Sequence, residues 1–362
     1  MNASKIRSLL LLFLFIAALI FAVYILWYKP VTTIFSAESL DLPPVQYTPP
    51  VTRSTTLPAE GSFLHPGAEQ PEVPSLPVGK ETPLPTAVPL CGTDTEWVVM
   101  AVGIDHTSPE YLYGLADVIR IVRIDFTKPQ INVVSIPRAL LVTPPDRLKV
   151  QGPLLLNQTY FFGAAGMDFY EGSGYGAGAL AETLYYSFGI RPDHYLIVNF
   201  QAFVNFVDAI GGVDVNLPTY VDDRPNVYYS AGIHHLNGEQ ALELARIRKK
   251  YSDFTRIDNQ TLILQAVLDR LKDPSIIAQL PDIYNALVGS VLTDLTPAQV
   301  NTLFCLQPSI TSEQISFYNM PENLLDLDWV FIPTLNRQMD IYRWDQSVID
   351  WLHHAIWAVP TQ

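Results

Sequence analysis

The feature that most constrains this chain is a 20-residue apolar run near its amino terminus. Residues 9–28 read LLLLFLFIAALIFAVYILWY and contain no charged side chain. At ~1.5 Å of rise per residue, a helix of this length spans a hydrocarbon core of ~30 Å. A cleavable signal peptide is the alternative, but its apolar core is usually shorter and a small-residue A-x-A site follows it. Here Trp-Tyr-Lys-Pro ends the run, which favours an uncleaved transmembrane helix.

The charges before this run predict its orientation. Lys5 and Arg7 precede the apolar residues. Positively charged flanks stay on the cytoplasmic side of a membrane. We therefore expect residues 1–8 to form a cytoplasmic tail and the chain after residue 28 to lie outside the cytoplasmic membrane.

A proline-rich segment follows the predicted helix. Residues 30–90 hold 13 of the 29 prolines and few large apolar side chains. Such a composition cannot bury enough surface to offset the entropy lost on ordering. We therefore predict an extracytoplasmic linker over residues 29–92, which at ~3.1 Å per residue reaches up to roughly 190 Å.

Residues 93–362 have the length and the turn signals of one large domain. Between 96 and 272, strand-like and helix-like segments alternate, and the second and third strands form an antiparallel hairpin, so we predict a layered α/β/α domain with a mixed central sheet. Residues 274–362 are predicted to be mostly helical. The predicted strands are 96–104, 118–124, 131–136, 195–198 and 213–217; the predicted helices are 177–188, 200–210, 258–271 and two that start after Asn237 and Thr296.

Charge and cysteine content exclude some functions. The formal net charge of −14 argues against nucleic-acid binding, which needs a basic face to replace phosphate counterions. Cys91 and Cys305 are the only cysteines, so no CxxC metal or redox motif is present. Because disulfides persist outside the cytoplasm, we predict that the two cysteines pair.

A cluster of cations stands out in this acidic chain. Five of the 22 lysines and arginines lie between Arg246 and Arg256. Arg246 and Arg248 share a side only if the helix before them has ended, because residues i and i+2 face the same way on an extended chain. Two aligned guanidinium groups can bind phosphate oxygens in a bidentate way. A solvated, salt-bridged surface is the alternative reading of the same cluster.

Two aspartates could hold a cation beside that phosphate site. Asp105 ends one predicted strand and Asp117 begins the next, so both carboxylates could lie at one sheet edge. Paired carboxylates are typical of Mg²⁺ sites, in which substrate phosphates supply further ligands. Ser135-Ile-Pro-Arg138 ends the following strand with another arginine. Each of these features also has an ordinary structural explanation, since aspartates at strand ends are common.

In this order, the motifs resemble those of the LytR-CpsA-Psr family over residues 98–271. The family carries two aspartates around the first strand pair, a Ser-Ile-Pro-Arg strand end, an Asn-x-x-Tyr element, a Gly-Gly-Val strand start and a Leu-Asn-Gly-x-Gln-Ala-Leu helix that leads into Arg-x-Arg. An Asp-x-x-Arg-x-x-x-Gln segment follows. The matching residues here are Asp105, Asp117, 135–138, Asn157, Tyr160, 207–213, 236–242, Arg246, Arg248, Asp253, Arg256 and Gln260.

The resemblance implies a Mg²⁺-dependent phosphotransferase in a bacterial cytoplasmic membrane. Such an enzyme moves a glycopolymer from a polyprenyl diphosphate carrier to a hydroxyl of peptidoglycan or another cell-wall acceptor. By position, Asp105 and Asp117 would hold Mg²⁺. The phosphoryl charge would be neutralised by four arginines with Gln260 nearby; the arginines are Arg138, Arg246, Arg248 and Arg256.

The same resemblance implies a channel for the polyprenyl tail. The candidate lining residues are Phe161, Phe162, Tyr185, Phe188, Phe200, Phe203 and Phe206. Aromatic residues at such spacing are also common in ordinary cores.

Three departures from the family pattern keep other functions open. Ala139, Leu155 and Asn259 stand where the family usually has an acid, a lysine and an arginine. One alternative is therefore a non-catalytic, carrier-binding envelope regulator. Another is a polyprenyl diphosphate hydrolase, in which the same cation and arginines act with water as the acceptor.

Overall fold

The computed structural model describes residues 38–42, 88–108, 110–222, 228–247, 253–287 and 290–359. The predicted transmembrane segment, residues 9–28, lies outside these ranges, as does most of the predicted linker. Among the described residues, no helix combines the length and the apolar character that a membrane crossing requires.

The strands of the described chain are numbered in chain order. They are β1 (Glu96–Ile104), β2 (Ala116–Asp125), β3 (Gln130–Ser135), β4 (Leu141–Val142), β5 (Leu154–Leu155), β6 (His194–Asn199), β7 (Val213–Leu217), β8 (Val221–Asp222), β9 (Tyr228–Tyr229), β10 (Gly232–Leu236), β11 (Val291–Thr293), β12 (Ile315–Asn319), β13 (Asp326–Ile332) and β14 (Arg337–Arg343).

The α-helices of the same residues follow the same convention. They are α1 (Leu156–Gly163), α2 (Tyr175–Phe188), α3 (Phe200–Ala209), α4 (Gly238–Ala245), α5 (Asp253–Leu271), α6 (Leu280–Leu287), α7 (Pro297–Leu306) and α8 (Gln346–Ile356).

A six-stranded sheet lies at the centre of the described residues. Its order is β11-β6-β1-β2-β3-β12. The pairs β1–β2 and β2–β3 are antiparallel, whereas β1–β6 and β3–β12 are parallel. The sheet is therefore mixed, as the sequence predicts.

Helices cover both faces of this sheet. On one face, Val98, Met100 and Val102 are buried in a core shared with α2 and α8. On the other face, Ala101 and Gly103 line a cavity bordered by α3, α4 and α5. Because successive side chains of a strand point to opposite faces, β1 contributes to both layers. The predicted α/β/α layering is confirmed.

The predicted capping residues begin two of the helices. The Asn237 side chain accepts a hydrogen bond from the backbone N–H of Gln240 at 2.9 Å, and the Gln240 side chain accepts one from the Asn237 N–H at 3.1 Å. Thr296 and Gln299 form the same capping box before α7. These bonds satisfy N–H groups that have no partner within the first helical turn.

The prediction that residues 274–362 are mostly helical is wrong for much of that region. β11 and β12 form the two edges of the main sheet, and β13 pairs with β14 in a hairpin. Strands as short as β11 are defined by their pairing with distant residues rather than by their own sequence. In β13, Leu327, Trp329 and Phe331 alternate with polar or smaller residues, which is the period of a strand.

Cys91 and Cys305 form the predicted disulfide. Cys91 precedes β1 and Cys305 lies in α7, so the bond joins the start of the domain to its carboxyl-terminal part. Around it, Trp97, Phe126 and Leu306 are buried in a small separate core.

Residues 38–42 correct the prediction that the whole of 29–92 is an unstructured linker. Leu42 is 5% exposed and belongs to the core beneath α2, and Leu40 packs against the same core. Residues 38–42 are ordered because they pack against the folded domain. The average composition of the linker cannot predict such a contact.

Candidate active site

A cavity of about 1110 Å³ lies between the sheet and the helices α3, α4 and α5. Most of its wall is apolar, and one end is polar. Pockets of this kind, with a few convergent polar groups, are typical of binding sites. The charged residues among those that line it are Asp105, Asp117, Arg120, Arg138, Arg246, Arg256, Arg337 and Asp340.

A β-bulge brings the two predicted metal ligands to the cavity. The register of β1 and β2 shifts between Gly103, which pairs with Val118, and Ile104, which pairs with Ala116. Asp117 is therefore the extra residue of the bulge, and such residues re-aim their side chains. As a result Asp117 and Val118, although adjacent, both line the cavity.

Asp105 reaches the same cavity from the end of β1. Its backbone N–H donates to the Leu115 carbonyl at 3.1 Å, and its carboxylate accepts from the Leu115 N–H at 2.5 Å. The returning chain thus fixes the orientation of this carboxylate. From the sequence, we expected both aspartates to lie at one edge of the sheet. This geometry is consistent with that expectation.

Two arginines and two carboxylates form an ion-pair network at the polar end. Arg138 Nη1 lies 2.5 Å from Asp117 Oδ1, and Arg138 Nε lies 3.6 Å from Asp253 Oδ2. Arg256 Nη2 lies 3.1 Å from Asp253, and its Nη1 lies 3.9 Å from Asp117 Oδ2. Asp253 is in the first turn of α5, so this helix supplies both a cation and the carboxylate that orients the arginines.

The surroundings of these groups shift their acidities. Burial raises the pKa of Asp105, opposed by the hydrogen bond from Leu115, and the negative charge of Asp117 raises it further. For Arg138, burial lowers the pKa, but the charges of Asp117 and Asp253 outweigh it and the net pKa is raised. Arg138 therefore stays charged, while Asp105 favours a nearby cation.

The residues at the polar end fit a Mg²⁺ ion. The described residues contain no group of three or more histidine, cysteine, aspartate or glutamate side chains around a common point. Mg²⁺ commonly uses one or two carboxylates together with substrate phosphates and water. Asn157 adds a buried amide oxygen, Oδ1, that has no hydrogen-bond partner among the described residues, while its Nδ2 donates to Asp117 at 3.4 Å. Two carboxylates and this oxygen form a suitable hard-ligand set.

Arg246 and Gln260 also line the cavity, but they make different contacts. Arg246 caps the end of α4 and its guanidinium lies 4.7 Å from the centre of the Phe200 ring, a cation–π contact. Gln260 donates to the Ala245 carbonyl at 3.2 Å and so supports the same helix end. Arg248 lies outside the described residues.

The predicted lipid channel divides into two groups of residues. Five of the seven aromatic candidates line the cavity, whereas Tyr185 and Phe188 do not. Phe188 is fully buried beside Trp344, with ring centres 4.7 Å apart, and Tyr185 contacts Arg191. The residues that line the cavity are Phe161, Phe162, Phe200, Phe203 and Phe206.

Two of the departures from the family pattern have a local explanation. Ala139 and Leu155 line the cavity and also pack against Ile332 and Ile341 of the β13–β14 hairpin. A charged side chain at either position would be buried against these apolar residues, which is costly. Nothing in the structure explains Asn259.

Sequence reasoning missed Arg120. This side chain is 4% exposed and lines the cavity, and burial lowers its pKa to about 10. It donates to Asn319 at 3.1 Å, to Thr261 at 3.0 Å and to the Ile257 carbonyl at 3.2 Å. These bonds tie β2 to β12 and to α5. The available signal was an arginine between two isoleucines, Ile119 and Ile121, of a predicted strand.

Two further cavity residues were missed because they lie in the region predicted to be mostly helical. Arg337 and Asp340 lie in β14 and line the cavity. Their placement depends on the β13–β14 hairpin, whose position in the domain cannot be predicted from the local sequence.

The fold and the site together define a class of protein: an α/β domain in which a large apolar cavity ends at a cluster of arginines and carboxylates. The chain belongs to the LytR_cpsA_psr family, whose model matches residues 79–349, which is 271 of 362 residues.

Two curated relatives carry transferase names. The polyisoprenyl-teichoic acid–peptidoglycan teichoic acid transferase TagV of Bacillus subtilis is 29% identical over 225 residues, which cover 60% of this chain and 54% of TagV. The TagU transferase of Oceanobacillus iheyensis is 29% identical over 207 residues, 57% of this chain and 61% of TagU. The chain thus spans little more than half of these relatives.

The crystal structure of Bacillus subtilis TagV is similar to this fold. It has a TM-score of 0.55 and 25% identity, and the similarity covers 74% of this chain and 99% of the TagV structure. The mixed α/β architecture is therefore shared with a family member.

Proposed function

We propose that this chain is a Mg²⁺-dependent phosphotransferase that moves a glycopolymer from a polyprenyl diphosphate to a cell-wall hydroxyl. The observation that carries the proposal is the two-part cavity, whose apolar wall leads to Asp105, Asp117, Arg138, Arg246 and Arg256. A polyprenyl diphosphate has the same two parts, an apolar tail and an anionic head. The transferase names of the two relatives support the same reaction class.

The arginines would bind and stabilise the phosphoryl group. Phosphoryl transfer is accelerated mainly by positioning and by neutralising charge on the transferred group. Arg138 and Arg256 come from a strand end and from a helix, and Asp117 and Asp253 hold them in place. Because these carboxylates hold the guanidinium groups, the donors are already oriented when the diphosphate arrives. The diphosphate oxygens would then compete with the carboxylates for the same N–H groups.

The metal would be held by the carboxylates and the amide oxygen described above. Asp105, Asp117 and Asn157 are the residues that would bind Mg²⁺. When bound, the ion supplies positive charge to the diphosphate oxygens. Asp117 would then be shared between the ion and Arg138, which links metal binding to the position of that arginine.

The proposed location is the outer side of a bacterial cytoplasmic membrane, with residues 9–28 as a single anchor. Lys5 and Arg7 support this orientation. Protease added to intact spheroplasts should release the domain by cutting between residues 36 and 90. Cleavage only after lysis would show that the orientation is wrong.

One assay separates this function from its alternatives. The full chain is incubated with a polyprenyl diphosphate-linked glycan, with and without Mg²⁺ and with and without a peptidoglycan acceptor. Transfer that requires both additions supports the phosphotransferase. Release of phosphate without an acceptor indicates the hydrolase, and binding without turnover indicates the regulator.

A further inference from the structure

Residues 38–42 (Glu-Ser-Leu-Asp-Leu) bind to the domain through backbone carbonyls. Three of these carbonyls accept hydrogen bonds from side chains of the folded domain. The Tyr195 hydroxyl donates to Glu38 O at 2.8 Å. Arg147 Nη1 donates to Asp41 O at 3.0 Å, and Arg191 Nη2 donates to Leu42 O at 3.2 Å. Arg147 lies in one part of the domain and Arg191 and Tyr195 lie in another, and together the three side chains form the groove that holds the segment.

Apolar contacts strengthen this binding. Leu42 is buried in the core beneath α2, and Leu40 packs against it. The two leucines are spaced i and i+2, so an extended chain places both on the same side. The segment therefore has the pattern of a bound peptide, with apolar anchors on one side and carbonyls bonded to the protein.

The domain holds Arg147 in position for this contact. Arg147 Nε lies 3.8 Å from the buried Glu182 carboxylate, and its guanidinium lies 5.5 Å from the Tyr170 ring centre. Its Nη2 also lies 4.0 Å from the Asp41 carboxylate. Interactions with Glu182 and Tyr170 within the domain fix the arginine, which lowers the entropy cost of binding the segment.

Docking of this segment shortens the stretch of chain that connects the predicted transmembrane helix to the domain. Only residues 29–37 separate the predicted transmembrane helix from Glu38. At ~3.6 Å per residue, ten steps from Tyr28 to Glu38 span at most about 36 Å. Without this contact, the linker would reach up to roughly 190 Å.

We propose that the groove formed by Arg147, Arg191 and Tyr195 is a docking site for residues 38–42, which holds the domain within about 36 Å of the bilayer. The distance rests on the membrane anchor of the proposed function. Docking within one chain requires little intrinsic affinity, because residues 43–87 join the segment to the domain and give it an effective concentration of the order of millimolar. A docked domain works on acceptors close to the membrane surface, where its lipid-linked donor also lies.

The test measures the height of the domain above a membrane. The full chain is placed in lipid nanodiscs that contain acceptor-labelled lipid, with a donor dye on a cysteine introduced at the exposed Asp350. The variant Leu40→Asp with Leu42→Asp removes both apolar anchors. Its energy transfer should fall at least about twofold, because the released linker extends several times further. The control Val51→Asp with Leu57→Asp adds the same charge elsewhere in the linker and should leave energy transfer unchanged.

A second measurement does not depend on the membrane. In detergent, the Leu40→Asp, Leu42→Asp variant should unfold about 2 to 4 °C below wild type, because the domain loses the bound segment. Equal energy transfer and equal melting temperatures in wild type and variant would overturn the docking proposal. Failure of the wild-type chain to enter nanodiscs would instead contradict the membrane anchor, and the melting temperatures would still decide whether the segment docks.

Discussion

Arg138 and Asp117, 21 positions apart, are joined by a hydrogen bond of 2.5 Å between Nη1 and Oδ1. Arg256 approaches the other oxygen of the same carboxylate from α5, at 3.9 Å. One side chain in a β-bulge therefore orients cations from two different elements. This arrangement makes the polar end of the cavity a single electrostatic unit, in which no member can be removed without affecting the others.

The first prediction concerns this unit. Arg138→Ala should lower Mg²⁺-dependent turnover on the order of 100-fold, because it removes a preorganised donor to the transferred group. Arg138→Lys should restore little, since lysine lacks the planar fork of donors. The double variant with Asp117→Ala should lose much less than the product of the single losses, as expected for residues that act together. Fully multiplicative losses would contradict the shared role.

The second prediction concerns the arginine pair that the sequence singles out. Replacing both Arg246 and Arg248 by alanine should reduce turnover of a polyprenyl diphosphate at least 100-fold. If the two were only surface charges, the change in stability would be under ~0.5 kcal/mol and activity would persist. Arg343→Ala is the matched control, because Arg343 pairs with Asp328 in the β13–β14 hairpin and does not line the cavity. Near wild-type turnover of the double variant would falsify the assignment.

The third prediction follows from the raised pKa of Asp105. Because the folded state holds this proton more tightly than the unfolded state, ionisation of Asp105 costs stability as the pH rises above the ordinary value of 3.8. Asp105→Asn removes that cost and should keep or raise the melting temperature at pH 7 while turnover is lost. The difference in melting temperature should shrink as the pH falls towards 4.

Added Mg²⁺ supplies the control for this prediction. The ion should raise the melting temperature of the wild-type chain, because it binds only the folded state. It should have little effect on Asp105→Asn. An equal Mg²⁺ response in both proteins would show that Asp105 is not a ligand.

The fourth prediction concerns the disulfide. Replacing both Cys91 and Cys305 by serine should lower the free energy of unfolding by up to ~5 kcal/mol in the chain-entropy model, because the bond closes a loop of 214 residues. Denaturant titrations with and without reductant measure the loss. Turnover of the folded variant should stay near that of wild type, since the bond lies in a core apart from the cavity. A large loss of turnover in the folded variant would show that the disulfide does affect the cavity.

The fifth prediction tests the apolar wall. Phe203→Ser should raise the KM for a long-chain polyprenyl diphosphate about tenfold or more, because a buried apolar contact with the tail is lost. The kcat should change little, since the contact is the same in the ground and transition states. A short-chain carrier should show a smaller effect. Phe331→Ser is the control, because Phe331 is exposed on the β13–β14 hairpin and does not line the cavity. Equal effects on both carriers would place the tail elsewhere.

Local sequence predicts those parts of the fold that local interactions determine. β1 was predicted with its exact bounds, and the Asn237 cap correctly begins α4, because these patterns act over a few residues. α5 begins at Asp253, five residues before its predicted start. That difference matters for the site, because the first turn of α5 carries Asp253 and Arg256, which the ion-pair network requires.

Other parts of the site depend on contacts between distant residues. The bulge at Asp117 arises from the pairing of two strands, and no pattern within β2 reveals it. The contribution of Arg337 and Asp340 requires a hairpin that packs over Ala139 and Leu155. The docking of Leu42 likewise requires a groove built from two distant parts of the domain, around Arg147 and around Arg191 and Tyr195.

The order of strands in the main sheet also affects how the chain reaches its folded state. β1 pairs at the centre of the sheet, whereas the outermost strands, β11 and β12, come from beyond residue 290. Synthesis begins at the amino terminus, so β6 and β3 are complete long before the strands that cover them. Uncovered edges readily pair with other chains and promote aggregation. A ribosome stalled before residue 291 therefore leaves a polypeptide with two open edges, which makes it a substrate for chaperones and proteases rather than a shortened but stable domain.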